Sequence, residues 1–243
     1  AGVHMFRKLT ENIYYTEPHE DTDRPVMGYI KGKRYSLMVE CGNSAETVKN
    51  FNAGLKSLGL KKADMAVATH YHWDHCFGMS ALKREGTLTI ALDRTNAILE
   101  DMSAWGWSKK LLDEYVDCDK VPLFCKPHII NEYPDLTKIE VCPADISFKE
   151  EMAVDLGDMK CIFKNIVNPH TEDGIIVYIP SEKTVFFGDC LCEELVRDQW
   201  IDNKEKLALM IEELDGLDFE YGLEGHFLPK KKEQIMKELN ERL

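Results

Sequence analysis

No stretch of this 243-residue chain approaches the roughly 18 consecutive apolar residues that a membrane-spanning helix requires. No charged-then-apolar secretory leader opens it either. Residues 1–4 read as an expression remnant ahead of a start at Met5, which leaves 5–243 as one expected domain. Basic charge is in short supply: 30 Lys and Arg stand against 43 Asp and Glu, for a net charge of −13. Phosphate-rich partners need a basic face, so this balance weighs against nucleic acid and anionic membrane surfaces alike. The 8 cysteines lack the density of a small disulfide scaffold and lie scattered among apolar neighbours, as expected of reduced thiols in a cytoplasmic protein. Cys118, Cys125, His128 and Cys142 follow no compact zinc-binding spacing. Internal repeats and low-complexity tracts are missing as well.

What is present suits a chain with a sizeable buried core, 44% hydrophobic and 30% charged. Ile13–Tyr15, Val26–Ile30 and Tyr35–Val39 read as strands, with a turn at Gly32-Lys33 and a short acidic loop over Glu17–Pro25. From Ser44 the period changes: Val48, Phe51, Leu55 and Leu58 mark a helix that stops at Gly59. A buried strand over Met65–Ala68 follows, then a helix starting near Asp74 and closing at Gly86, then a strand over Thr87–Leu92. Residues Asp93 to Pro143 read as a long irregular insertion with helical patterns over Ala97–Trp105 and Leu111–Val116. Its aromatics suit a small local core, or a cover over a pocket. Strand patterns return at Met152–Leu156, Cys161–Val167, Gly174–Ile179 and Thr184–Phe187, followed by a helix over Glu205–Leu214, a short run at Phe219–Leu223, and a last helix with Pro229 in its first turn. Interleaved strands and helices predict an α/β domain with sheets inside and helices outside.

The most informative stretch is Thr69-His70-Tyr71-His72-Trp73-Asp74-His75, directly after the apolar run. Imidazole and carboxylate are ligands that zinc prefers, and a hydrophobic core has no use for them at this density. A polar turn in which Asp74 merely caps the next helix is the plain alternative. Three later residues weigh against it. His170 in Asn168-Pro169-His170, Asp189 in Gly188-Asp189 and His226 in Gly225-His226 each follow a strand-like run, where side chains are held rigidly enough for a metal site. Seven ligands exceed the needs of one tetrahedral zinc and suffice for two ions with open positions.

This order of motifs resembles the metallo-β-lactamase-fold hydrolases, over roughly Ile13 to Phe227, and in particular their seven-ligand branch that includes the glyoxalase II enzymes. The resemblance implies an αββα sandwich: two mixed β-sheets face to face between outer helices, with the metals at one edge. It implies that His70, His72 and His170 hold one ion, that Asp74, His75 and His226 hold the other, and that Asp189 bridges them. It further implies two divalent metal ions, zinc in preference to iron or manganese, and a metal-bridging hydroxide as nucleophile. Asp74 is a candidate for proton transfer. Two carboxylates against two divalent cations would leave a net positive centre suited to an anionic substrate.

The chain departs from the family at two places. A single glycine follows the first motif in Cys76-Phe77-Gly78-Met79, and Glu40-Cys41-Gly42 stands where relatives commonly carry Asp before Gly. Cys76 and Cys190 adjoin ligands and are expected to be small buried residues facing away from the metals. True lactamases usually have Cys or Ser at the position of Asp189, and glyoxalase II enzymes add a glutathione-binding region. RNA-processing relatives want basic surface. Flavodiiron proteins carry Glu in place of His72, together with a flavin domain. The expectation is thus a cytoplasmic hydrolase of a small ester, thioester, lactone or related molecule, with no nucleic-acid or membrane partner and the oligomeric state left open. The alternatives are a phosphodiesterase of the same fold, a di-iron redox protein, and a non-catalytic metal or ligand sensor.

Overall fold

The structure, a computed structural model, describes residues 6–243; the proposed remnant at 1–4 and the start at Met5 lie outside the described residues. Period-two apolar runs build two sheets. The first contains β1 (Phe6–Lys8), β2 (Ile13–Thr16), β3 (Met27–Lys31), β4 (Ser36–Val39), β5 (Met65–Val67), β6 (Leu88–Leu92) and β7 (Ile146–Phe148), adjacent in that order. β1 to β4 form an antiparallel meander, and β4 to β7 run parallel. The second sheet takes β8 (Glu151–Asp155), β9 (Lys160–Asn165), β10 (Ile175–Ile179) and β11 (Thr184–Gly188). A separate hairpin, β12 (Glu194–Val196) with β13 (Gln199–Ile201), precedes its last strands, β14 (Tyr221–Glu224) and β15 (Lys230–Lys231). Here β11 and β14 pair in parallel, and the other neighbours are antiparallel. Both sheets are therefore mixed.

Alternation along each strand assigns its side chains to layers. Leu37 and Val39 of β4, Met65 and Val67 of β5, and Ile90 and Leu92 of β6 face Phe163, Ile175, Val177 and Phe186 of the second sheet in one dry inter-sheet core. Met38 and Ala66 point the other way, onto the helices α1 (Ala45–Ser57), α2 (Trp73–Cys76), α3 (Met79–Arg84), α4 (Asp93–Met102), α5 (Lys109–Asp117) and α6 (Cys125–Glu132). On the far side Ile176, Val185 and Phe187 pack on α7 (Lys204–Asp215) and α8 (Lys232–Glu241). The layers read helix, sheet, sheet, helix. At about 1.5–3 kcal/mol for each buried branched or aromatic side chain, these three cores supply the driving force for the sandwich.

Several expectations need revision. The helix placed after Asp74 is two helices, broken at Phe77-Gly78, where a Cβ on Gly78 would meet the Cys41 carbonyl at 2.2 Å. Leu58, counted on the buried face of α1, is 49% exposed. Residues 93–143 are largely helical rather than irregular, because Leu99, Leu112 and Ile129 each dock one helix on a shared core with Trp107 and Tyr133. Pro229 precedes the last helix by three residues and leads into β15, which pairs with β14. Gly32-Lys33 opens a four-residue connection, closed by Gly32 N–H to the Tyr35 carbonyl at 3.0 Å. No helix among the described residues is long and apolar enough to cross a membrane.

Candidate metal centre

The edge of the sandwich where β4, β5, β11 and β14 end is stitched by backbone hydrogen bonds. Ile175 N–H donates to the Thr69 carbonyl at 2.9 Å, Gly225 N–H to Gly188 at 2.7 Å, and Val26 N–H to Gly225 at 2.6 Å. The first and last of these join segments of the two sheets, so the strand ends carrying the motifs share one rigid frame. Two glycines make the approach close enough. Gly188 has φ +52°, and a Cβ there would lie 2.3 Å from Thr69 Oγ1; a Cβ on Gly225 would lie 2.0 Å from Asp189 Oδ1. The Gly-Asp and Gly-His pairs are thus steric requirements.

All seven residues singled out in the sequence converge here, as two donor groups that share Asp189. In the first group His72 Nδ1 lies 3.1 Å from His70 Nε2 and 3.2 Å from His170 Nε2. Asp189 Oδ2 is 3.6 Å from both His70 Nε2 and His170 Nε2. In the second group Asp74 Oδ2 is 2.9 Å from His75 Nε2 and 3.1 Å from His226 Nε2, while Asp189 Oδ2 is 3.1 Å and 3.5 Å from the same two nitrogens. Asp74 therefore does not cap a helix. Its carboxylate points at the histidines.

The outer nitrogens decide which atoms face the centre. His170 Nδ1 donates to the Glu193 carbonyl at 2.6 Å. Glu40 accepts from Thr69 N–H and Thr69 O–H, both at 2.9 Å, so the hydroxyl is left as acceptor for His70 Nδ1 at 3.0 Å. Glu40 also accepts from His75 Nδ1. These partners place a proton on Nδ1 of His70, His75 and His170, so that in each of the three Nε2 is the nitrogen turned to the centre. The one hydrogen that His72 Nδ1 can carry cannot serve His70 and His170 together.

Ligands at 2.0–2.1 Å around a tetrahedral ion stand roughly 3.3 Å apart. The separations of the first group bracket that value. Asp189 Oδ1 is in addition buried without a hydrogen-bond partner, in a protein interior where such atoms are rare. The donor set fits a metal.

Electrostatics point the same way. Burial and the neighbouring His75 and His72 hold the His70 imidazole well below its ordinary pKa, and burial with His170 pushes His72 down to about 3. Both are neutral and ready to ligate. Burial also disfavours charge on His75, yet Asp74, Glu40 and Asp189 outweigh it and hold that imidazole well above the usual range; Asp189 and Asp74 do the same for His226. Burial alone would raise Asp189, but His75 and His226 keep it well below the usual carboxylate range. In the protein without ions, protons supply the positive charge these carboxylates demand.

Sequence reasoning left Glu40 uncertain as a support. The structure makes it central: it is 1% exposed and its backbone has φ +74°, a left-handed conformation that costs a non-glycine residue about 1–3 kcal/mol. Asn168 was quoted only as a neighbour; its Oδ1 accepts from His170 N–H and Thr171 N–H, both at 3.0 Å, and holds the His170 loop. Asp173 was missed. Its Oδ2 accepts from Tyr71 N–H at 2.9 Å and Thr95 O–H at 2.8 Å, tying the His motif to α4. Asp23 was also missed, and its Oδ1 lies 3.6 Å from His226 Nδ1. The buried Cys76 thiol faces the Tyr71 and His72 carbonyls and Cys190 that of Ile175, and neither joins the donor groups. Among the described residues, Cys118, Cys125, His128 and Cys142 do not gather into a donor cluster.

The sequence profile of the metallo-beta-lactamase superfamily matches residues 22–219, and the chain belongs to that superfamily. Among solved structures it is similar to a metallo-beta-lactamase from Pontibacter korlensis, at 16% identity and TM-score 0.66 over 98% of this chain and 97% of that one. It is similar to TMB-1 at 15% identity and TM-score 0.68, over 100% and 98% of the two chains. The inverting sec-alkylsulfatase Pisa1 from Pseudomonas sp. matches at 14% identity and TM-score 0.68, over 98% of this chain and 41% of its own. Likeness at these identities concerns the fold, and one fold hosts different reactions.

Proposed function

We propose that the protein is a dinuclear metal-dependent hydrolase, zinc being the preferred ion, acting on a small molecule with a neutral scissile carbonyl: an ester, thioester or lactone. The carrying observation is the pair of donor groups sharing Asp189 Oδ2. His70, His72, His170 and Asp189 would hold one ion, and Asp74, His75, His226 and Asp189 the other. Bound divalent cations supply a Lewis acid and a hydroxide nucleophile at neutral pH. The chain's own residues do the rest. Glu40 and the Glu193 carbonyl fix imidazole orientation, Asp189 spans both groups, and with the second group empty Asp74, beside His75 and His226, would take or return a proton.

Charge refines the substrate class. The expected net positive centre counted Asp74 and Asp189 alone; Glu40 is a third buried carboxylate, in contact with His75, and makes the centre less positive than that count. A weaker positive charge suits a neutral carbonyl better than a phosphodiester. The chain's 8 cysteines, all free, suit a reducing cytoplasm.

Phe124, just before α6, meets Trp200 of the hairpin at a ring separation of 5.7 Å, and the next residue, Cys125, lies within electrostatic reach of Asp74 and Asp23. We assign these two exposed rings to the substrate-facing rim. The test is turnover of ester, thioester, lactone, phosphodiester and lactam panels by zinc- and manganese-loaded protein. His72→Ala and Asp189→Ala should abolish it while the fold survives; an unchanged rate would overturn the mechanism. Tight binding of a small molecule without turnover of any panel would favour a sensor instead.

A further inference from the structure

His226 is the most exposed of the donor residues in the second group, its side chain a quarter accessible. His70, His75 and His170, which also present Nε2, each have the outer nitrogen satisfied by a neighbour within hydrogen-bond range. The outer nitrogen of His226 faces Asp23 Oδ1 at 3.6 Å, about half an ångström beyond such a bond.

The placement of Asp23 is closely determined. It ends a 3-10 turn (Glu20–Thr22) with φ +52°, and its N–H donates to the Glu20 carbonyl at 3.1 Å. Reciprocal backbone bonds between His19 and Arg24, both 3.0 Å, close the loop. Three further parts of the molecule then grip it. Asn43 Nδ2 donates to the Thr22 carbonyl at 2.9 Å, and Asn131 Nδ2 on α6 donates to the Asp21 carbonyl at 2.8 Å. Beyond Pro25, Val26 N–H bonds to Gly225, the residue before His226, so the loop and the histidine move as one unit.

We infer that Asp23 is the positioning carboxylate of His226: its Oδ1 is the acceptor that the Nδ1–H turns to, which aims Nε2 at Asp74 and Asp189. Carboxylate–histidine–metal arrangements of this kind fix the tautomer and raise ligand basicity. The inference rests on the dinuclear reading above. It also gives the 93–143 insertion a second role, since α6 steadies the loop that steadies a ligand.

The experiment is zinc titration of the full chain against a chromophoric chelator, for wild type, Asp23→Ala and Asp23→Asn. Wild type should take up two ions, and Asp23→Ala should keep the first with little change while its second binds about 10–100-fold more weakly. Asp23→Asn, which retains an acceptor oxygen, should fall between them. Two ions at wild-type affinity in Asp23→Ala would overturn the inference and leave the dinuclear reading standing; fewer than two in wild type would overturn both. Should Asp23→Ala not fold, proton–nitrogen NMR of zinc-loaded wild type and Asp23→Asn decides: the His226 Nδ1–H resonance should move when an amide replaces the carboxyl, and an unmoved resonance would overturn the inference.

Discussion

Glu40 grips Thr69 at two points, Oε1 on the backbone N–H and Oε2 on the hydroxyl, each at 2.9 Å. Through that grip one carboxylate orients two imidazoles, His70 by way of the Thr69 hydroxyl and His75 directly. Glu40→Ala should therefore weaken both ions at once, by about 10–100-fold in affinity. It should also destabilise the protein by about 1–3 kcal/mol, because a buried N–H loses its acceptor. Metal titration with urea unfolding checks the pair of effects; loss at one ion alone would contradict the shared role.

The two glycines beside ligands give a steric prediction. Gly225→Ala puts a methyl 2.0 Å from Asp189 Oδ1, at a position whose backbone needs no left-handed conformation. The fold should survive, as read by far-UV circular dichroism, while metal stoichiometry falls. Wild-type metal content in this variant would show that the Gly-His pair has another cause.

The aromatics of the 93–143 insertion divide by burial. Trp107 is 7% exposed and stacks edge-on to Phe77 at 5.6 Å, whereas Phe124 is 43% exposed and meets Trp200. Trp107→Ala should cost about 3–5 kcal/mol of stability. Phe124→Ala should leave stability nearly unchanged and shift KM unequally across substrates. Equal KM changes for all substrates would argue against a selective rim.

Asp173, which holds the Tyr71 backbone between His70 and His72, supplies a pH test. Burial raises its carboxyl above the ordinary value of 3.8, against the hydrogen bonds from Thr95 and Tyr71. A carboxyl raised in the folded state favours folding when protonated, so its contribution is full below pH 3.8 and is lost as pH rises through the folded-state value. Asp173→Asn removes that titration. In chelator-treated protein, the wild type minus Asp173→Asn stability difference should fall as pH rises above the ordinary carboxyl value of 3.8; a difference that rises with pH would reverse the assignment.

Much of this was legible beforehand because ligand chemistry is written locally. His70 to His75 needs three histidines and an aspartate within six residues, and strand ends at His170, Asp189 and His226 follow from apolar runs that stop abruptly. Interleaved strands and helices gave an α/β domain, and the sandwich followed from the family resemblance carried by the motif order. What escaped notice depends on contacts between distant segments. Asp23 sits in an acidic loop that looks ordinary until α6 and Gly225 clamp it. Glu40 looked like a departure because its reach to Thr69 and His75 arises from a left-handed backbone. The helix α6 has its N-terminal residues and its one buried position, Ile129, too sparsely patterned for a 3.6-residue period to emerge.

Metal content tests the account most directly. Elemental analysis of the full chain, purified after zinc or manganese supplementation and freed of loosely bound ions, should give two transition-metal ions per protein, falling toward one in His226→Ala. Fewer than two ions per wild-type chain would contradict it.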